Sequence, residues 1–320
     1  MTIRSLSSAS FVYVGMRATD DFFNLSPIGN CVRVLVRGID IGGRITNAAT
    51  GEPVPGIMVS ASLRKDTTGA DGTYFLENVP SYTTSMNAVD ENAAGQLGDF
   101  FDYSFDLAAV TQYIDKSFCM IPAFTLENEA APSVYYGGRF LKFFKEITET
   151  DGLVNHGTVY KGWNHWPITV YNPPMTYQDI DLQEACRNGM RDWEDSTGLD
   201  LFVEVGSLEG ADASIQYDTT LTTYKHHVET AEVNADGTPA RKILWIYTKN
   251  SLVPIRRYAD VIFTHELGHV IGLYHSRDPG HLMLGLTMPV VEHPTLDEAR
   301  VVQVLYHMPN IFDYSDISEQ

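Results

Sequence analysis

The sequence predicts a multidomain chain, an all-β sandwich followed by an α+β domain, and three observations carry this reading. From Ile39 onward, short alternating apolar strands are punctuated by the turn dipeptides Thr50-Gly51, Pro55-Gly56 and Asp71-Gly72, the pattern of an antiparallel sandwich. From Trp166 onward, short strands are interspersed with long segments of helical period. Near the C-terminal end, histidines fall four residues apart within VIFTHELGHVIGLYHSRDPGHLM, residues 261–283. A length of 320 residues suits about two such domains.

Composition narrows the partners. The net charge of -19 disfavours nucleic acid and anionic membranes, which select for basic patches. No run of about eighteen apolar residues occurs, so no membrane span is expected. The first residues, MTIRSLSSASFVYVGMRATDD, have no sustained apolar stretch and do not read as a signal peptide. Any export leader is expected to lie outside the sequence. Cys31, Cys119 and Cys186 are too scattered for a disulfide framework, and the first two lie in strand-like surroundings that suit buried thiols.

Residues 1–38 contain a strand, FVYVGMRA, and an apolar run, CVRVLV, to which no role is assigned. Residues 39–126 form the sandwich. Gly43, Thr50-Gly51-Glu52-Pro53, Pro55-Gly56, Val59 and Asp71-Gly72-Thr73-Tyr74-Phe75 followed by Val79-Pro80 resemble the carboxypeptidase regulatory-like domain. That resemblance implies an Ig-like sandwich of the kind found as an accessory module in secreted bacterial proteins. The polar stretch ENEAAPS, residues 127–133, reads as the boundary to a second domain over 134–320.

In that second domain the stretch from Tyr135 to Trp166 yields no clear elements, and His156 and His165 read as surface or core histidines. PITVYN then predicts a strand. DIDLQEACRNGMRDWEDSTG predicts a helix that buries Leu182, Ala185, Cys186, Met190 and Trp193 and stops at Gly198. LFVEV, ASIQYD and ARKILWIYT predict three more strands. A helix beginning near Tyr258 and a final one over PTLDEARVVQVLYHM, with apolar Leu296, Val301, Val304 and Leu305, complete the succession.

The helix from Tyr258 carries the chemistry. Residues four apart share a helix face, so His265 and His269 present two imidazoles to one ion. Glu266 follows the first histidine directly, so its carboxylate is turned beside the metal, where it can take a proton from a bound water. Gly272 ends the helix and reverses the chain, bringing His275 back as a third ligand. Three neutral imidazoles and an open fourth position are the catalytic arrangement of zinc. The other face, with Phe263, Leu267, Val270 and Tyr274, is an apolar stripe for the core.

His265, Glu266, His269, Gly272 and His275 in the order HExxHxxGxxH resemble the metzincin metallopeptidases, a branch of the zincins. Met283, eight residues past His275, stands where the matrixin branch places its Met-turn methionine, with Met288 as the fallback. The resemblance extends over about residues 164–308 and implies one catalytic zinc ion and a protein or peptide substrate. Leu284 replaces the aromatic residue that often follows that methionine, so oxyanion support falls to zinc and backbone groups. A calcium ion is possible but no loop is assigned to it. The loop from Gly285 to His293 would wall the pocket for the residue after the cleaved bond, and its apolar residues favour an apolar side chain.

The function expected is therefore a secreted or cell-surface bacterial zinc endopeptidase. A zinc-binding adhesin or inactive homologue, with the sandwich as the working part, is the alternative from another class, and a hydrolase of esters or sugar-bearing peptides is a second.

Overall fold

The computed structural model describes residues 38–90, 99–107, 113–131, 133–149, 159–221, 226–249, 252–253, 255–285 and 291–318, with the backbone alone of 11–14 and 32–35. The chain divides into two compact units. One comprises Met1–Asn47, Glu52–Met120 and Asp316–Gln320, the other Ala48–Gly51 and Ile121–Ser315.

The first unit is built of strands. β1 (Phe11–Val14) and β2 (Val32–Leu35) pair antiparallel; the rest of residues 1–37 lies outside the described residues. They are followed by β3 (Ile39–Asn47), β4 (Met58–Ala61), β5 (Arg64–Thr67), β6 (Thr73–Val79), β7 (Ser85–Val89), β8 (Asp102–Asp106), β9 (Ile114–Asp115) and β10 (Phe118–Met120). One sheet has the order β10-β3-β6 with β9 also on β3, and the other runs from the C-terminal strand Ile317–Ser318 through β8, β7 and β4 to β5. Period-two alternation decides which face is buried. In β6, Tyr74 and Leu76 point inward while Phe75 is half exposed. The sheets meet through rings and a thioether: Phe105 and Phe118 pack edge to face at 4.6 Å, and Tyr74 Oη reaches Met86 Sδ at 3.7 Å. Asp71-Gly72 makes the turn into β6, with Gly72 at φ 75° and Asp71 Oδ1 accepting the Thr73 N–H at 3.1 Å.

The second unit is α+β. It opens with α1 (Phe140–Glu149), which buries Phe140, Leu141, Phe143, Phe144 and Ile147 at helical spacing, and β11 (Val159–Lys161). Then come β12 (Ile168–Tyr171), a hairpin of β13 (Thr176–Tyr177) and β14 (Ile180–Asp181), and α2 (Leu182–Thr197). β15 (Phe202–Val205), β16 (Ala213–Asp218), β17 (His227–Val233) and β18 (Pro239–Tyr247) follow, and α3 (Arg256–Ile271), α4 (Leu296–His307) and β19 (Ile311–Asp313) finish the unit. The main sheet has the order β15-β12-β16-β18-β17, parallel except for the edge strand β17.

Local chemistry sets the helix ends. Asp181 caps α2 by accepting the Glu184 N–H, and Gly198, in the left-handed region at φ 72°, closes it. The five residues expected on its buried face are all buried. Trp193 Nε1 donates to the Thr264 carbonyl at 2.7 Å and so fixes α2 against α3. On α4 the outcome differs in part from the apolar pattern: Val301, Val304 and Leu305 are buried, whereas Leu296 is exposed and Asp297 and Glu298 are fully buried.

The stretch 127–131, read from its polarity as the start of an interdomain boundary, belongs to the second unit. Its backbone supplies the donors that buried carboxylates require. The N–H groups of Glu127 and Asn128 reach Asp297 at 3.0 and 2.7 Å, and that of Ala130 reaches Asp278 at 3.1 Å. These amides add to the partners the carboxylates have elsewhere in the second unit, the Gly280 N–H on Asp278 at 2.8 Å and His281 Nε2 at 3.5 Å from Asp297.

Burial alone would raise the Asp297 carboxyl; hydrogen bonds from His281, Asn128 and Glu127 hold it below the ordinary 3.8. The stability this carboxylate contributes is thus present above the unfolded pKa and lost as pH falls through the lower folded value. We expect Asp297→Asn to cost about 1.5–3 kcal/mol near neutral pH. Urea unfolding as a function of pH checks this, with the gap to wild type closing in acid.

Candidate active site

Gly272 ends α3 as the spacing requires. It sits at φ 129°, its N–H bonds to the Gly268 carbonyl at 3.1 Å, and a Cβ there would lie 2.8 Å from Tyr160 Oη. The chain turns at this point, and His275 returns beside the helix. Ligand nitrogens of His265, His269 and His275 lie within 4.8 Å of one another. Among the described residues they are the one group of at least three ligating side chains so placed. His269 Nε2 and His275 Nε2 are 3.1 Å apart, and the rings of His265 and His269 stand at 89°.

Backbone carbonyls fix the tautomers. His265 Nδ1 donates to Leu282 O at 2.8 Å and His269 Nδ1 to Leu273 O at 2.7 Å, since a carbonyl can only accept. The Nε2 lone pairs of both rings are left for a metal ion. Burial, reinforced by neighbouring histidines, pulls His265 down to about 4 and holds His269 well below its usual value, so both rings are neutral and ready to ligate.

Glu266 is buried, and its Oε2 has no hydrogen-bond partner among the described residues. Burial raises its carboxyl to about 8. Its place on α3, next in the chain to His265, leaves this oxygen open to a water or other polar partner.

Met283 is fully buried against Gly268 of the same helix, where a Cβ would come within 2.5 Å of its Sδ and 3.0 Å of Trp193. Its backbone is held on both sides. The Met283 N–H donates to Glu298 Oε1 at 2.7 Å, and the Met283 carbonyl accepts the Ser276 N–H at 2.7 Å. Met288 and His156 lie outside the described residues, as do residues 286–290 of the loop after Gly285. His165 pairs with Asp212 at 3.2 Å, away from the three histidines.

Residues without a motif also build the site. Lys242 of β18 is buried and donates to the carbonyls of His269 and Val270 at 2.8 and 3.0 Å, and Trp163 Nε1 joins it on Val270 O at 2.8 Å. These are the last carbonyls of α3, which the helix itself cannot satisfy. Beneath the loop, His281 stacks on Phe143 at 4.3 Å, with Ser276 Oγ 3.2 Å from its Nδ1 and Asp297 3.5 Å from its Nε2. A lone lysine in an apolar strand, or a histidine between Gly280 and Leu282, gives no spacing signal, so sequence reasoning passed over both.

The unit is α+β, and His265 and His269 of α3, His275 just past it and the buried Glu266 form a group of the types that can hold a metal ion and a base beside it. Residues 162–307 match the family model Matrixin (Peptidase M10), under half of the chain. The match supports a matrixin-like catalytic domain, and that family implies a catalytic zinc ion and metallopeptidase-type hydrolysis. No curated protein matches the chain.

Gly268→Ala tests the contact beneath the histidines. Its methyl must displace the Met283 thioether or Trp193, and overpacking of this kind costs about 1–3 kcal/mol. Chemical unfolding measures it, and unchanged stability would mean that Met283 has room to move.

Proposed function

We propose that this chain is a zinc-dependent endopeptidase whose metal ligands are His265, His269 and His275 and whose general base is Glu266. The observation that carries the reading is the buried, unpartnered Glu266 carboxylate on the helix whose two histidines have their Nδ1 atoms tied to carbonyls. A zinc ion held there supplies Lewis acidity, lowering the pKa of a water it touches to about 7 and polarising a carbonyl. Glu266 accepts the proton that the attacking water sheds and returns it to the amine nitrogen, which departs neutral. His265 and His269 keep their Nδ1 protons on Leu282 and Leu273, so neither ring competes for that proton. Met283 acts through packing alone, as the floor of the cluster.

We read the strand-rich N-terminal unit as an accessory module of the carboxypeptidase regulatory-like kind, and the protein as secreted or held at a bacterial cell surface. No helix among the described residues is long and apolar enough to cross a membrane.

Metal-loaded protein is expected to hold one zinc per chain by elemental analysis, and His269→Ala to hold less than half an equivalent. Unchanged zinc affinity in that variant would remove the ligand assignment. Glu266→Ala should keep zinc and fold while peptide cleavage, read by mass spectrometry on a diverse library, falls about 10²- to 10⁴-fold. A rate within about threefold of wild type would place the base elsewhere.

A further inference from the structure

A cavity of about 740 Å³ opens from His269 and His275 toward the turn between β17 and β18. Every titratable acid or base that lines it is a tyrosine, a lysine or a histidine: among its described lining residues there is no aspartate or glutamate. This is notable in a chain with 41 acidic and 22 basic residues. The carboxylates of the adjoining strand and turn each have a partner of their own. Val228 and Thr230 of β17 line the cavity, while Glu229 between them bonds Trp245 Nε1 at 3.0 Å. Glu232 pairs with Arg241 at 3.1 Å, and the Asp236 carboxylate turns back onto Thr238, accepting its N–H at 3.0 Å and its hydroxyl at 2.7 Å.

Of the basic groups, Lys242 spends its ammonium on the carbonyl end of α3. His226 accepts the Tyr247 N–H on Nδ1 at 3.2 Å, so its ring proton is on Nε2 and it offers a donor. Lys161 is the other lysine among the described lining residues. Its Nζ gives one bond to the Asp236 carbonyl at 3.0 Å and rests over Gly237, where a Cβ would come within 2.5 Å of it; the Asp236 carboxylate, held down first by its Thr238 hydrogen bonds, is also within reach of this ammonium's charge, so a ligand carboxylate would share Lys161 with it. The turn glycine, at φ 83°, therefore leaves the space the ammonium fills. A cleft lined by one sign of charge concentrates field and favours the opposite charge in its ligand.

We propose that this cavity selects peptides carrying a carboxylate, with Lys161 as the specificity-determining residue. The proposal rests on the peptidase reading for its substrate class. The carboxylate can be an Asp or Glu side chain within the bound peptide or a free C-terminus, and both offer the same partner to Lys161.

The test is a position-scanned set of short peptides in which one residue on either side of the cleaved bond is Asp or Asn, each made with a free and an amidated C-terminus. Zinc-loaded wild type should prefer Asp over Asn at one position by roughly three- to fivefold in kcat/KM, the scale of a partly exposed ion pair. Preference for free over amidated ends would assign the carboxylate to the C-terminus instead. In Lys161→Met that ratio should fall to about one, and in Lys161→Glu it should invert. Comparing ratios cancels the repulsion that the protein's overall negative charge exerts on every acidic peptide. The same peptides are titrated by fluorescence anisotropy onto zinc-loaded Glu266→Ala protein and its Lys161 double variants. If no peptide is cleaved yet the acidic ones bind selectively through Lys161, the peptidase reading fails and the carboxylate preference stands. Equal binding and equal cleavage of the paired peptides by wild type, or a ratio untouched by Lys161→Met in protein of normal zinc content and thermal stability, overturns the proposal.

Discussion

The loop that returns His275 and Met283 to α3 has little backbone ladder of its own, and it depends on one carboxylate. Glu298 accepts the N–H of Met283 at 2.7 Å and of Leu282 at 3.2 Å, and at the same time the N–H and hydroxyl of Thr295 at 2.9 and 2.7 Å. The last two bonds belong to the capping box that starts α4. A device that ordinarily satisfies a helix end here also clamps the segment whose Leu282 carbonyl orients His265. The start of α4, the position of Met283 and the tautomer of the first histidine are thus one connected arrangement. Loss of this buried carboxylate would release all three together, because each of its donors is itself buried.

What was legible in the sequence follows from the range of the forces involved. His265, His269 and Gly272 were readable because a helix imposes a period and a stop, both local. Met283 was readable only by its distance from His275. The helix α1 was passed over although Phe140, Leu141, Phe143, Phe144 and Ile147 fall at helical spacing, because the helix is short and no capping residue marks its start. The edge strand β17, HVETAEV, is mostly exposed, so it lacks the alternation by which strands are recognised. Asp278, Asp297 and the amides at 127–130 are partners across about 150 to 170 residues, a pairing that no window of sequence contains. Polarity at 127–133 therefore looked like a linker, although the amides of Glu127, Asn128 and Ala130 donate to buried carboxylates.

The carbonyl end of α3 shows how a buried cation links the three-histidine cluster to the wall of the adjoining cavity. Burial pulls Lys242 down to about 7, so burying it has a cost, and among the described residues no carboxylate pairs with the side chain to offset that. What compensates is the helix end itself, where unsatisfied carbonyls carry about half a negative charge. The lysine belongs to β18, the strand that pairs with β17 along the cavity, and it grips the carbonyl of His269 itself. The sheet edge is thereby tied to the residue whose Nε2 lies 3.1 Å from that of His275. A methionine at 242 could fill the same volume but would leave the His269 carbonyl with no side-chain donor, so volume alone would not preserve this coupling. The chemistry of the site and the shape of its cleft are held in register by this one ammonium, with Trp163 on the neighbouring carbonyl as its support.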